Sequence, residues 1–170
     1  MDLESMYQEV ILDHYRNPRG RGLREPFDAE VMHVNPTCGD EITLRVAVGT
    51  DGEPVLKDVS YWNQGCSISQ ASASILCEEL EGATVSEALA MTDEFVNLMH
   101  GEQVDEESLG DLIAFEGVAK YPARVKCALL AWMALKDAIS QSHPDLAEPI
   151  DGDLTEISVA DPQRHELNTD

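Results

Sequence analysis

The chain has 170 residues, 43% of them apolar and 26% charged, and its 33 acidic against 11 basic residues give a formal charge of -22 at neutral pH. That length holds one well-buried core and is short for two. So strong an acidic balance argues against nucleic acid or an anionic membrane as partner, because the phosphate field would repel it. The apolar run Ala128–Leu135 is too short to span a bilayer, and "MDLESMYQEV" lacks the basic and apolar regions of a secretory signal, so a cytoplasmic location is expected.

In chain order, "LESMYQEVILDHYRNP" sets Leu3, Met6, Tyr7, Val10, Ile11 and His14 or Tyr15 at helical spacing, with Asn17 and Pro18 as the stop. "RGRGLREPFD" reads as a linker and "AEVMHVN" as a short strand. Beyond "NPTCGD", Ile42, Leu44, Val46 and Val48 alternate with Glu41, Thr43, Arg45 and Ala47, the period of a strand with one buried face. "GTDGEP" is a turn and "VLKDVSYWN" alternates again, so these two strands form a hairpin.

From Gly65 onward the pattern is helical. "CSISQASASILCEELEG" stops at Gly82, and "TVSEALAMTDEFVNLMHG" opens with Thr84 and Glu87 at capping-box spacing. "DEESLGDLIAFEGVAKY" is a weaker helical stretch, and "PARVKCALLAWMALKDAIS" starts on Pro122 and is apolar on most sides, as a core helix should be. A domain over residues 1–142 and an acidic tail over 143–170, expected to be mobile, complete the organisation. Charge is uneven: no Lys or Arg lies between Asp58 and Ala119, while Arg16, Arg19, Arg21 and Arg24 gather early and Lys120, Arg124 and Lys126 late. The early group reads as ordinary solvated charge. Trp62 and Trp132 read as packing residues.

Cys38, Cys66, Cys77 and Cys127 are widely spaced, and in a reducing compartment metal binding or catalysis is favoured over disulfides. If the three strands form an antiparallel meander, the loop holding Cys38 and Asp40 and the residue after the third strand, Cys66, meet at one end of the sheet. Gly39 lets its two neighbours turn toward a common point, and Cys66 lies at a helix start, where unpaired amides favour a thiolate. Cys77 lies roughly 16 Å further along that helix and is read as a core residue. For Cys127, spacing leaves a shared site and a buried structural thiol equally open. The five histidines, His14, His33, His100, His143 and His165, show no ligand spacing to the cysteines and receive no catalytic role.

"NPTCGD", "GCSIS" and "KYPARVKCALLAW", with "ILDHYRNPRG", resemble the IscU/SufU (NifU N-terminal-like) family of iron-sulfur cluster assembly proteins over residues 3–140. IscU-type scaffolds carry a histidine before the third cysteine and a short segment between the second and third. Lys126 and the long segment from Gly82 to Val118 place the likeness in the SufU branch of zinc-dependent sulfurtransferases. The resemblance implies an α+β fold, a three-stranded antiparallel sheet with about five helices packed against it. It further implies one zinc held by Cys38, Asp40, Cys66 and Cys127, with Cys38 as the acceptor thiol, freed when a desulfurase histidine replaces it, and Arg124 in docking or persulfide handling. Three thiolates and a carboxylate around a divalent zinc carry a formal excess of negative charge, which such an exchange reduces.

The implied activity is to take persulfide sulfur from a SufS-type cysteine desulfurase, stimulating it, and to relay the sulfur to the SufBCD scaffold complex. A scaffold on which an iron-sulfur cluster is assembled would use the same ligands, and a purely structural zinc domain that binds a partner is the third reading.

Overall fold

The computed structural model of the chain describes residues 2–37 and 39–147. Strands β1 (Ala29–Asn35), β2 (Asp40–Gly49) and β3 (Val55–Gln64) form one antiparallel sheet in the order β1-β2-β3, the meander that the alternating residues predict. The register pairs Asn35 with Asp40 and Glu41 with Gln64, so the β1–β2 turn and the exit from β3 share one end of the sheet. On the inward face Val31, Ile42, Leu44, Val46, Val59 and Tyr61 are all buried, as the period-two pattern requires. Each large aliphatic side chain buried in this way contributes about 1.5–3 kcal/mol.

Five α-helices are found among the described residues: α1 (Leu3–Arg16), α2 (Ser67–Leu80), α3 (Val85–Met99), the single turn α4 (Glu106–Leu109) and α5 (Pro122–Ser142). Helix α1 is capped by Asp2, whose carboxylate accepts from the Ser5 N–H at 2.8 Å, and α3 by Thr84, which accepts from the Glu87 N–H at 3.0 Å. Pro122 opens α5, where its missing N–H costs nothing. Helix α5 lies across β1 and β2 and against α2, while α1 covers the far side of α2. The small residues Ala71, Ser72, Ala73 and Ser74 are all buried and let α2 approach its neighbours closely. At that contact Ser72 Oγ donates to the Ala128 carbonyl at 2.6 Å and accepts from Trp132 Nε1 at 3.0 Å, which satisfies the indole N–H inside the core.

One expectation is changed. Trp62 is not a core residue: it is 48% exposed, and the Arg21 guanidinium stacks over its ring at 4.3 Å. Adjacent strand residues point to opposite faces, so with Tyr61 inward Trp62 must face out. The weak helical stretch after residue 105 breaks at Gly110 into α4 and a 3₁₀ helix over Gly110–Lys120, which buries Leu112, Ala114 and Phe115. The first residues of the expected tail lie on the body, with Ala147 buried and Leu146 packed against the core, and residues 148–170 lie outside the described residues. The early arginines are engaged locally: Arg19 pairs with Asp13 at 3.0 Å and Arg24 with Asp58 at 2.7 Å. No described helix is long and apolar enough to cross a membrane.

The Ser72 contact yields a stability test. Ser72→Ala strands the buried indole N–H and is expected to cost about 1–3 kcal/mol, read as a lower urea midpoint with an unchanged m-value.

Candidate metal centre

Asp40 opens β2, Cys66 is the N-cap of α2 and Cys127 sits in the second turn of α5. One ligand atom from each, a carboxylate oxygen and two sulfurs, lies within 4.8 Å of the other two. The register carries the first two together as expected. Cys127, for which spacing left two readings open, is brought to the same point by the packing of α5 across the β1–β2 end. Cys38 lies outside the described residues. Its neighbour Gly39 has φ +74°, a conformation that L side chains rarely adopt, and donates its N–H to the Asn35 carbonyl at 2.8 Å. The turn between Asn35 and Asp40 is thus held tightly beside the three donors.

Asp40 is buried, and its Oδ1 accepts the Cys66 N–H at 3.1 Å while Oδ2 lies 3.5 Å from Cys66 Sγ. That places a carboxylate at the positive end of α2, where Cys66 itself offers no side-chain cap. Asn35 Nδ2 donates to Cys127 Sγ at 3.6 Å, and Ser69 Oγ donates to the Cys66 carbonyl at 3.1 Å and lies 3.9 Å from Cys66 Sγ. Gly65 is required by space: a Cβ there would fall 2.6 Å from Asp40 Oδ1 and 2.6 Å from Ser69 Oγ.

The hydrogen bond from the Cys127 thiol draws the Cys66 thiol down from 9.0 to about 6, burial opposes this, and the Ser69 N–H at the start of α2 assists it. The shift favours the thiolate form of Cys66. Arg124, one turn before Cys127, is exposed with its guanidinium in hydrogen-bonding reach of both sulfurs, and the negative charge first of Cys66 and then of Cys127 raises its own pKa. Two cysteine sulfurs and a carboxylate that converge, Asp40 and Cys127 buried and Cys66 half-buried, suit a tetrahedral divalent ion of borderline softness, with sulfur at about 2.3 Å and oxygen at about 2.0–2.2 Å.

Cys77 takes no part. It is 4% exposed, Sγ facing the Val59 carbonyl at 3.6 Å, and burial pushes its thiol up. Asn35, Ser69 and Gly65 escaped the sequence reading. Each lies within three residues of a proposed ligand, and the glycine before Cys66 was the legible sign. A cleft of about 360 Å³ opens beside Arg124, lined by Tyr7, Ile11, Ile68, Val118 and Tyr121.

In metal-stripped protein the Cys66 alkylation rate should rise with pH through a midpoint near 6, because the thiolate exists only above its pKa. Cys77 should stay unmodified until the chain unfolds. Peptide mass spectrometry after short iodoacetamide pulses reads both, and a Cys66 midpoint at the ordinary thiol value would contradict the shared proton.

Residues 6–128 match the profile of the NifU-like N terminal domain family. The chain is 41% identical over 144 residues to the zinc-dependent sulfurtransferase SufU of Bacillus subtilis, covering 84% of this chain and 95% of that protein. It is also 41% identical to the iron-sulfur cluster assembly scaffold protein IscU of Thermotoga maritima, over 83% of this chain and 97% of that one. Among solved structures, the putative iron-sulfur cluster assembly scaffold protein for the SUF system of Fervidobacterium islandicum superposes with a TM-score of 0.69 at 37% identity, covering 81% of this chain and 99% of that one. A match over most of the described fold, with relatives aligned along nearly their whole length, assigns the chain to the NifU-like N-terminal domain family, among proteins of the SufU and IscU kind.

Proposed function

We propose that the protein is a zinc-dependent sulfurtransferase that accepts persulfide sulfur from a SufS-type cysteine desulfurase and relays it to the SUF assembly machinery. The observation that carries this reading is the convergence of Asp40, Cys66 and Cys127 beneath the Arg124 guanidinium. The likeness to the Bacillus protein named a zinc-dependent sulfurtransferase agrees with it. Zinc, when bound, would hold its thiol ligands as thiolates at neutral pH and keep them from forming disulfides. Asp40, Cys66 and Cys127 are the holders in this reading, and Cys38 completes the set as the ligand that reacts.

The transfer balances in sulfur and charge. The Cys38 thiolate attacks the outer sulfur of the desulfurase cysteine persulfide, a new S–S bond forms on Cys38, and the old one breaks. The desulfurase cysteine leaves as a thiolate, ready for another turnover. Taking the sulfur therefore stimulates the donor. Arg124, exposed and under the charge of both sulfurs, offers a cation to the incoming persulfide anion, and its place in the lining of the cleft favours approach of a partner from that side. Lys126 and the long segment from Gly82 to Val118 distinguish the chain from IscU-type scaffolds and support relay over assembly.

A second reading, a scaffold that assembles and hands on an iron-sulfur cluster through the same ligands, is supported by relatives named as IscU scaffolds. Metal analysis separates the two. The relay predicts a colourless protein with one zinc per chain and a desulfurase whose turnover rises severalfold on its addition; Cys38→Ala keeps the fold and abolishes the rise. A brown protein that retains a cluster after anaerobic reconstitution and passes it to an apo-acceptor would sink the relay.

Gly65→Ala supplies a further check. Its Cβ displaces the Asp40 carboxylate, so zinc affinity in a chelator competition should fall by about tenfold or more, with little change in far-UV circular dichroism.

A further inference from the structure

Between α1, α2 and the 3₁₀ helix lies a second cluster of ligand-type side chains, remote from the Asp40–Cys66–Cys127 centre: Glu78 follows Cys66 by twelve residues along α2, roughly 18 Å. The His14 imidazole is only 2% exposed. Its Nδ1 lies 2.8 Å from Ser74 Oγ, and its Nε2 faces two carboxylates from different elements, Glu78 Oε2 at 3.1 Å and Asp111 Oδ2 at 3.3 Å. The three ligand atoms lie within 4.8 Å of one another. The carboxylates, 40% and 47% exposed, open the cluster to solvent on the side away from the ring.

The surrounding charge is unbalanced. Four carboxylates, Asp13, Glu78, Glu79 and Asp111, gather around one guanidinium, Arg19, which pairs with Asp13 at 3.0 Å. Arg19 approaches the ring from the Nδ1 side at 3.3 Å and reaches Glu78 only through Oε1 at 3.7 Å, so Nε2 and its two facing carboxylate oxygens keep a common space. Burial, rather than any anion, is the main influence that raises the Glu79 pKa.

We propose that His14, Glu78 and Asp111 bind a second divalent ion of the first transition row. Without the ion, Nδ1 accepts from the Arg19 guanidinium at 3.3 Å and Nε2–H faces the carboxylates. Binding takes the other tautomer, in which Nδ1 donates to Ser74 Oγ, the Arg19 contact is given up, and the Nε2 lone pair joins two carboxylate oxygens whose formal charge a divalent ion neutralises. Water completes the shell on the open side. This donor set is harder than the cysteine centre and favours manganese or ferrous iron over a thiophilic ion. Because the donors come from three elements, the ion fastens α1 and the 3₁₀ helix to the C-terminal half of α2. It leaves the sulfur chemistry at the other end of that helix untouched, so the site does not depend on the function proposed above.

The test is a Mn²⁺ titration of the full chain with its cysteine centre filled by zinc, following the free Mn²⁺ signal by electron paramagnetic resonance. One Mn²⁺ per chain is expected to bind and to raise the thermal midpoint. Asp111→Asn and Glu78→Gln, both at partly exposed side chains, should weaken binding by about tenfold or more and remove the thermal shift. If the wild-type chain does not retain zinc, the same titration on a Cys66→Ser/Cys127→Ser variant reads this site alone. No loss of free Mn²⁺ signal, or equal binding by Asp111→Asn, overturns the proposal.

Discussion

The hydrogen bond from the Cys66 N–H to the Asp40 carboxylate is the contact on which the site depends. It joins the first residue of β2 to the cap of α2, and so turns two sequence-distant positions into one corner. A carboxylate at a helix start relieves exposed amides and is drawn by the positive end of the helix, so the contact stabilises the fold before any ligand is considered. The same geometry leaves Asp40 Oδ2 and Cys66 Sγ side by side in a buried spot, which is what a metal needs and what thiols without one tolerate by sharing a proton.

Everything else at that corner holds these two groups in place. The β1–β2 register brings Asn35 opposite Asp40, and Asn35 in turn donates to Cys127. Helix α5 is apolar almost all round, because it packs against the sheet and α2 together, and that packing fixes how far Cys127 reaches. Arg124 stands in solvent beside them. A largely buried anionic cluster with an exposed cation beside it suits the approach of the anionic sulfur donor proposed above.

The two ends of α2 differ in chemistry because they differ in composition. At the N-terminal end sulfur dominates and the small residues Gly65 and Ser69 keep the space tight. At the C-terminal end carboxylates dominate, and a single buried imidazole faces them. In the two proposals above, soft donors at one end and hard donors at the other set different ions along a single helix.

The sequence by itself determined the strands, because period-two alternation over β2 and β3 leaves one face to bury, and it determined the meander, because the connections are short. From these the meeting of Asp40 and Cys66 was legible, and the exclusion of Cys77 followed from helical rise alone. Tertiary structure decided the rest. Cys127 joins the site only because α5 crosses the sheet at one angle and depth, which no local spacing encodes. Trp62 faces solvent because strand alternation allows only one of Tyr61 and Trp62 inside, and the packing of α2 on β3 selected Tyr61. His14, a polar residue on the apolar stripe of α1, gave a sign of burial in the sequence. Its partners Glu78 and Asp111 lie so far along the chain that only the folded contact between α1, α2 and the 3₁₀ helix could name them.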